Sequence, residues 1–455
     1  MAVGVSRRSF DPTAFETFHF ISHELDEHGR VALRYALDEQ VEFVETFELP
    51  VSGTLSPADR DAVAGLVALL HWVAGVSYFK AAAPPVLRCD SGAPPPAAAA
   101  LLDALYSQGL GEFAFVNALA KLPRPRFPTQ GKPSPPGVLD GSDGRRALVP
   151  VGGGKDSAVA IETMRSAGRE LTLFSVGDAP AIARTAAAAE LPRLIARRRL
   201  DPQLAALNRA GALNGHIPIT AIVTCVALLT AALNDIETVA MANERSASSG
   251  NLVWDGVEIN HQFSKSLQAE RLLQAAVAEL APGMEVFSIL RPASELAIAR
   301  AFARMDRYHD AFTSCNAVFR LDPSQRASSW CCDCPKCRFV FLALAPFSEP
   351  EHLRQVFGRD LLDDDAQFEG FALLTATGGD KPFECVGEEQ ESLAAIRMLA
   401  DDPRWREHRV VERLLAEVLP RHPPGEGSLD AVLALSVEHA VPDSLMPSVR
   451  AILGA

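Results

Sequence analysis

The residues most clearly suited to chemistry lie in the segment 147–157, where a short apolar run precedes three glycines and then Lys155, Asp156 and Ser157. Glycines at a strand-to-helix turn let backbone N–H groups close around a phosphate, and the helix N-terminus adds a favourable field for an anion. A carboxylate in such a turn can hold a divalent cation that also binds phosphate oxygens. The loop is not a Walker A sequence, because Asp156 separates the lysine from Ser157. The segment therefore predicts a phosphate-binding loop with a metal ion beside it.

This Gly-Gly-Lys-Asp-Ser turn resembles the pyrophosphate loop of the N-type ATP pyrophosphatases. The resemblance implies that ATP is a co-substrate, that AMP is transferred to the substrate, and that pyrophosphate is released. It further implies that Asp156 holds Mg²⁺ and that Lys155 offsets charge on the phosphates. The residues expected to hold pyrophosphate are Gly152, Gly153, Gly154, Lys155, Asp156 and Ser157. Gly152 occupies the first position of this loop, where the N-type ATP pyrophosphatases usually have serine.

A cysteine cluster forms the second candidate site. Its expected ligands are Cys315, Cys331, Cys334 and Cys337. Short Cys-x-x-Cys turns direct two sulfurs at one point, and four thiolates complete a closed, tetrahedral zinc site. Such a site is structural, and we expect it to hold the loop 313–338 against the nucleotide domain. Cys332 could replace Cys331 as a ligand, and a redox pair or a set of buried thiols is the alternative.

The same cysteine pattern resembles the zinc loop of the 7-cyano-7-deazaguanine synthases, which are pyrophosphate-loop enzymes that adenylate a carboxylic acid. The two motifs therefore support one another and indicate ATP-dependent activation of a carboxylate. The remaining cysteines, Cys89, Cys225 and Cys385, are isolated in the sequence and are interpreted as core or surface residues.

Polar residues follow two further predicted strands. Ser175 ends one of them, and a polar stretch follows another. The residues of this stretch that could hold the adenylate or anionic groups of the substrate are Asn243, Glu244, Arg245 and Ser246. Arg245 suits bidentate contact with phosphate or carboxylate, and a solvated loop is the alternative.

Three side chains that precede predicted helices are candidates for a general base. They are His216, His261 and Lys265. A lone histidine is more often a structural residue than a base, so a structural role for His216 and for His261 is the alternative.

Five blocks of the sequence together resemble a more specific family, the ATP-dependent epimerases that act on UDP-N-acetylmuramoyl-L-alanyl-L-glutamate in peptidoglycan precursor synthesis. These blocks are 15–47, 147–167, 214–220, 241–270 and 313–346. The resemblance is carried by Val-Gly-Gly-Gly-Lys-Asp-Ser, Asn-Glu-Arg-Ser-Ala, Asn-His-Gln-Phe-Ser-Lys-Ser and Cys-Pro-Lys-Cys-Arg-Phe. It implies that the terminal L-glutamate is adenylated, epimerised to D-glutamate and released by hydrolysis. In that epimerase family, a glycine at the first position of the loop, as in Gly152, is not a departure from the usual sequence.

A competing interpretation keeps the adenylation but ends with attack by ammonia or sulfur. The protein would then be an amide ligase, a deazapurine nitrile synthase or a tRNA thiolase. A non-catalytic nucleotide-binding regulator is a further alternative, although the presence of Lys155, Asp156 and Ser157 argues against it.

The elements that must position these residues alternate along the central region. The pattern predicts strands at 147–151, 171–176, 194–198, 237–242 and 285–289, and helices at 157–167, 179–190, 218–233 and 264–280. This alternation is typical of an α/β fold with a parallel, doubly wound sheet, in which ligands bind at the carboxyl ends of the strands. We expect the N-type ATP pyrophosphatase version of that fold.

Three domains are predicted. Residues 1–143 form an N-terminal α+β domain, with an antiparallel meander, a hairpin turn at 27–30 and a helix over 57–79, and it could bind the substrate. Residues 144–345 form the ATP pyrophosphatase domain with its zinc loop. Residues 346–455 are helical and could cap the site or form a homodimer.

The net charge of −14 argues against broad binding to nucleic acid, which depends on neutralising phosphates. The most apolar stretch, 217–233, is short of a membrane span and is interrupted by proline and threonine. No secretory signal is visible at the N-terminus. The sequence therefore predicts a cytoplasmic protein without membrane insertion, whose partner is its UDP-linked dipeptide substrate.

Overall fold

The fold was obtained as a computed structural model that describes residues 10–129, 145–254, 256–320, 323–379 and 381–454. The domain boundary predicted at residue 143 lies outside these ranges. The strands are β1 Thr17–Leu25, β2 Arg30–Leu37, β3 Val41–Glu48, β4 Val86–Cys89, β5 Arg146–Pro150, β6 Glu170–Val176, β7 Arg193–Arg199, β8 Thr238–Met241, β9 Leu252–Trp254, β10 Val257–Ile259 and β11 Glu285–Ser288.

Among the described residues, nine strands form one sheet in the order β11-β8-β5-β6-β7-β3-β2-β1-β4, and β9 pairs with β10 separately. The strands from β11 to β7 are all parallel. The chain passes from β5 to β6 on one side, whereas β8 lies on the other side of β5. Loops that leave β5 and β8 therefore diverge, and a crevice at such a switch point is where ligands bind in sheets of this kind.

Helices cover both faces of the sheet. In β5, Ala147 and Val149 belong to one apolar core and Leu148 belongs to the other, because successive side chains point to opposite faces. The helices are α1 Pro57–Ala62, α2 Ala64–Ala74, α3 Val76–Phe79, α4 Pro96–Ser107, α5 Gly111–Val116, α6 Lys155–Ser166, α7 Pro180–Ala189, α8 Gln203–Ala210, α9 Ile219–Ala232, α10 Leu267–Leu280, α11 Glu295–Phe302, α12 Pro335–Leu344, α13 Pro350–Phe357, α14 Phe368–Ala372, α15 Glu389–Asp401, α16 Arg409–Arg413, α17 Leu429–Leu433 and α18 Met446–Leu453.

The α/β class and the parallel central sheet are thus confirmed. The predicted central strands and helices are present, with ends that differ by three residues at most. The helix expected over 57–79 is instead divided into α1, α2 and α3, with breaks at Val63 and Gly75. A side chain at Gly75 would lie 2.5 Å from the ring of Phe20, so this position admits only glycine without rearrangement.

The N-terminal meander is confirmed and continues the same sheet. Its first turn is closed by Asp26, whose Oδ1 accepts from the N–H groups of His28 and Arg30, and Gly29 adopts a φ of +80°. The third strand, β3, pairs antiparallel with β7, so the N-terminal strands are hydrogen bonded to the central ones.

A buried ion pair reinforces this junction. Glu45 on β3 is fully buried, and Arg198 on β7 donates to its Oε1 at 2.5 Å and to Ser77 Oγ at 2.7 Å. Burial raises the pKa of Glu45, whereas the charge of Arg198 works to lower it. The ionised form of this carboxylate therefore depends on its arginine partner.

We predict that Arg198→Met lowers the free energy of unfolding by about 3 kcal/mol, because it leaves a buried carboxylate unpaired. Chemical denaturation measures the change. The control is Arg199→Met, since Arg199 pairs with Glu48 on the exposed side of the same strands, and its loss should cost about 0.5 kcal/mol or less. Equal effects of the two variants would contradict the proposed role of the buried pair.

Candidate active site

The glycine loop lies between β5 and α6, at the switch point of the sheet. Gly153 has a φ of +88°, and a Cβ on it would lie 3.1 Å from the backbone of Ala181. A Cβ on Gly154 would lie 2.6 Å from Ser314 Oγ. These close approaches explain the glycines at 153 and 154, and Ser314 lies directly against the loop.

Hydrogen bonds hold the loop in shape. The N–H of Gly152 donates to Ser157 Oγ at 3.0 Å, and the carbonyl of Gly153 accepts from the N–H of Thr313 at 2.9 Å and from Thr185 Oγ1 at 3.1 Å. Gly154 caps α6, whose first-turn N–H groups have no acceptors within the helix. The loop thus presents the positive end of a helix at the crevice, which suits a phosphate group.

Lys155 is buried between two carboxylates. Its Nζ donates to Asp156 Oδ1 at 2.5 Å and to Glu295 Oε2. Burial alone would lower the pKa of Lys155, but Asp156 and Glu295 outweigh it and raise that pKa, so the ammonium stays charged. Sequence reasoning missed Glu295, although its place at the start of α11, directly after the helix-capping Ser294, was a usable signal.

Glu391 connects the C-terminal helices to this network. Its Oε1 accepts from Ser246 Oγ at 2.6 Å and from the N–H of Glu295 at 2.8 Å, and its Oε2 accepts from the N–H of Glu388 at 2.8 Å. Burial raises the pKa of Glu391 to about 7. Helix α15 is therefore fixed to the polar stretch that follows β8.

The other predicted ligand-binding residues lie at the same edge of the sheet. Ser175 donates to the carbonyl of Gly177 at 2.9 Å, and Asn243 donates to Ser288 Oγ at 3.0 Å. Glu244 is buried, and its backbone carbonyl accepts from Arg291. All three side chains lie at carboxyl ends of parallel strands, as expected.

Arg245 makes different contacts from those expected. Its guanidinium donates to the carbonyls of Val432 and Ala434 at 3.0 and 2.9 Å, and its N–H donates to the carbonyl of Ala293 at 2.9 Å. In this structure Arg245 therefore joins the loop after β8 to the C-terminal region.

His216 and His261 lie side by side, with ring centroids 4.2 Å apart. Glu112 on α5 is hydrogen bonded to His261 Nδ1 and lies 3.9 Å from His216 Nδ1. These groups offer ligand atoms within 4.8 Å of one another, but the direct hydrogen bond leaves no room for an ion between Glu112 and His261. The arrangement is that of a carboxylate shared between two neighbouring imidazoles.

The two imidazoles differ in protonation. Burial and the neighbouring His261 lower the pKa of His216 to about 4. Burial opposes protonation of His261 too, but hydrogen bonds with Cys385 and Glu112 raise its pKa to about 9. Near neutral pH one ring can therefore accept a proton and the other can donate one.

Lys265 lies beside this pair and donates to Gln262 Oε1 at 3.0 Å and to Cys385 Sγ at 3.3 Å. Burial works to lower the pKa of Lys265, but Cys385 and Glu244 raise it above its ordinary value. A lysine that stays protonated is a cation rather than a general base, which argues against the base role considered from the sequence. Cys385 is not isolated, contrary to its interpretation from the sequence.

The four cysteines predicted as zinc ligands converge. The sulfurs of Cys315, Cys331, Cys334 and Cys337 all lie within 4.8 Å of one another. Cys334 and Cys337 are 3.4 Å apart, and Cys331 and Cys337 are 3.7 Å apart. Four thiolates around zinc, with Zn–S bonds of about 2.3 Å, place sulfurs roughly 3.8 Å apart, so the set fits a zinc ion.

Cys332 points elsewhere and contacts the carbonyl of Phe357 at 3.2 Å, which favours Cys331 as the ligand. The cluster begins α12, since Cys334 caps that helix by accepting from the N–H of Cys337.

The fit of Mg²⁺ rests on Asp156, whose side chain is 31% exposed at the loop and supplies oxygen ligands of the type that this ion prefers.

Comparison with known proteins identifies the family. A family model described as the MurL N-terminal domain matches residues 9–289, and one described as the MurL C-terminal domain matches residues 311–427. The chain belongs to the MurL family. The resemblance drawn from the sequence motifs is confirmed, and no solved structure matches the chain.

Three curated MurL relatives bear the name UDP-N-acetyl-α-D-muramoyl-L-alanyl-L-glutamate epimerase. The protein of Salinispora tropica is 48% identical over 413 residues, which cover 89% of each chain. That of a Micromonospora strain is 47% identical over 94% of this chain and 96% of its own. That of Xanthomonas oryzae pv. oryzae is 42% identical over 97% of this chain and 99% of its own.

Both MurL regions contribute to the candidate site. The glycine loop and the two histidines lie in the N-terminal match, whereas the cysteine cluster, Cys385 and Glu391 lie in the C-terminal match. Within the described residues, no helix combines the length and apolar character that a membrane span requires.

We predict that Cys334→Ser abolishes zinc binding, whereas Cys332→Ser retains it, because only Cys334 belongs to the four-sulfur cluster. Metal analysis of the purified proteins should give about one zinc per chain for the wild type and for the control. Equal zinc contents of the two variants would contradict this assignment.

We predict that Glu391→Gln flattens the pH dependence of stability. The native state prefers the protonated carboxyl, so the wild type loses stability as the pH rises from the ordinary pKa of 4.5 to about 7. The glutamine variant lacks this loss, which amounts to at most about 3 kcal/mol. Denaturation at several pH values measures the difference, with Glu389→Gln on the same helix as the control. A constant difference between Glu391→Gln and wild type across this range would disprove the assignment.

Proposed function

We propose that this protein converts the terminal L-glutamate of UDP-N-acetylmuramoyl-L-alanyl-L-glutamate to D-glutamate in peptidoglycan precursor synthesis, through an acyl-adenylate. ATP is the co-substrate, and AMP and pyrophosphate are the products. The observation that carries the proposal is the glycine loop at the switch point of the sheet, in a chain that aligns with named epimerases over almost its whole length.

The chemical purpose of adenylation is to acidify the α-proton. An ionised carboxylate resists loss of this proton, because a second negative charge would develop beside the first. Conversion to an acyl-adenylate removes that charge and lets the carbanion delocalise as an enolate. Reprotonation from the opposite face gives D-glutamate, and hydrolysis then releases AMP.

The loop supplies the electrostatics of the first step. The N-terminus of α6 and the N–H groups of Gly152–Gly154 would hold the β- and γ-phosphates as the substrate carboxylate attacks the α-phosphate. Lys155 contributes a fixed positive charge, which Glu295 and Asp156 keep in place. Asp156 would also hold Mg²⁺, which supplies charge neutralisation on the phosphates when bound. These features support an N-type ATP pyrophosphatase fold.

His216 and His261 can transfer a proton in the epimerisation. The neutral His216 can accept a proton, and the protonated His261 can donate one. Glu112 orients His261 and stabilises its charge. The cysteine cluster would hold structural zinc and fix the 313–338 segment against the glycine loop.

We predict that Asp156→Asn lowers the rate of pyrophosphate release at least 100-fold, because it removes a charge from the loop. The assay incubates the protein with ATP and the L-glutamate nucleotide dipeptide, and measures AMP, pyrophosphate and the chirality of glutamate. The control is Glu170→Gln, an exposed residue at the amino end of β6, which should retain the wild-type rate.

Formation of ADP and orthophosphate by the wild type would refute the proposal. Conversion to D-glutamate without ATP would refute the adenylation step, and an unchanged rate in Asp156→Asn would refute the role of the loop carboxylate.

A further inference from the structure

Cys385 lies close to three cationic side chains. Its sulfur accepts from Lys265 Nζ at 3.3 Å and interacts with the ring of His261, and Lys336 on α12 adds a third positive charge. Glu384, the adjacent residue, is turned to Asn316, which donates to its carboxylate. The sulfur therefore faces two lysines and an imidazolium.

The consequence for this thiol is opposite to that for Cys89 and Cys225. Burial raises the pKa of Cys89 and of Cys225 to about 12. Burial acts on Cys385 in the same direction, but Lys265, Lys336 and His261 outweigh it and lower its pKa to about 6. A cysteine with only a packing role does not require neighbouring cations that stabilise its thiolate.

The cluster is also joined to the nucleotide loop. Arg291 donates to the carbonyl of Lys265 and to the carbonyl of Glu244, so it bridges the turn before α10 and the segment after β8. The charge of Asp156 further raises the pKa of Lys265, which places the lysine within electrostatic reach of the loop.

We propose that Cys385 is one of the two proton carriers of the epimerisation, and that its thiolate removes the α-proton of the activated L-glutamate. The inference rests on the proposed function. The paired imidazoles of His216 and His261 are the second carrier, and Lys265 is a positioning residue that holds the thiolate in its charged form.

The step balances without any further reactant. The Cα–H bond breaks, an S–H bond forms on Cys385, and the electron pair passes into the enolate of the acyl-adenylate. The imidazolium of His261 passes its proton to the adjacent His216, and His216 protonates the opposite face of Cα. The contact between Cys385 and His261 lets the thiol return its proton to the imidazole, which restores the starting state.

Isotope exchange tests this assignment. The variants Cys385→Ala and Cys385→Ser are incubated in D₂O with ATP and either the L-Glu or the D-Glu nucleotide dipeptide, and inversion, α-deuteration and ATP–pyrophosphate exchange are measured. The control is Cys89→Ala, a partly buried cysteine on β4. We expect inversion to fall at least 100-fold in both variants, with ATP–pyrophosphate exchange within about threefold of wild type. The D-dipeptide should still gain deuterium, and the L-dipeptide should not.

Inversion by Cys385→Ala at the wild-type rate would overturn the proposal. So would loss of deuteration for both dipeptides, or a loss of ATP–pyrophosphate exchange as large as that of inversion, because the sulfur would then support the site without moving a proton. If the wild type inverts glutamate without forming AMP, the adenylation has failed, yet the deuteration pattern still decides the role of Cys385.

Alkylation provides a second readout. Iodoacetamide should modify Cys385 at least ten times faster than Cys89 at pH 7, and Lys265→Met should slow the reaction of Cys385 and shift its pH midpoint upward. Equal rates for the two cysteines, or a midpoint that Lys265→Met leaves unchanged, would overturn the thiolate assignment.

Discussion

The buried ammonium of Lys155 is the interaction on which the rest of the site depends. It joins the glycine loop after β5 to the first residue of α11, through Asp156 and Glu295. The backbone of Glu295 then binds Glu391, so the C-terminal helices attach to the same point. Removal of the ammonium would leave Glu295 buried without compensation, so the loop and α11 both depend on this lysine.

A second principle governs the histidine and cysteine cluster, where neighbouring groups hold opposite protonation states within a few ångströms. His261 keeps a proton because Cys385 and Glu112 raise its pKa, whereas burial and the neighbouring His261 lower the pKa of His216. Chemistry that moves one proton between two faces of a carbon needs such an asymmetry, and a single imidazole in water could not provide it.

Features that depend on local sequence were predictable. The glycine loop and the central strands and helices follow from spacing and turn chemistry, and the four-cysteine cluster follows from its Cys-x-x-Cys turns. The contributions of Glu112, Cys385 and Glu391 were not predictable, because each becomes meaningful only through contacts with residues far away in the chain. Arg245 illustrates the same limit, since its type suits an anion but its neighbours are backbone carbonyls.

The ladder between β3 and β7 has a mechanical consequence. Because the meander shares backbone hydrogen bonds and the Glu45–Arg198 pair with the central parallel strands, the two regions cannot rotate apart as rigid bodies without breaking the sheet. A bulky nucleotide-linked peptide therefore cannot enter through a hinge between the meander and the central strands.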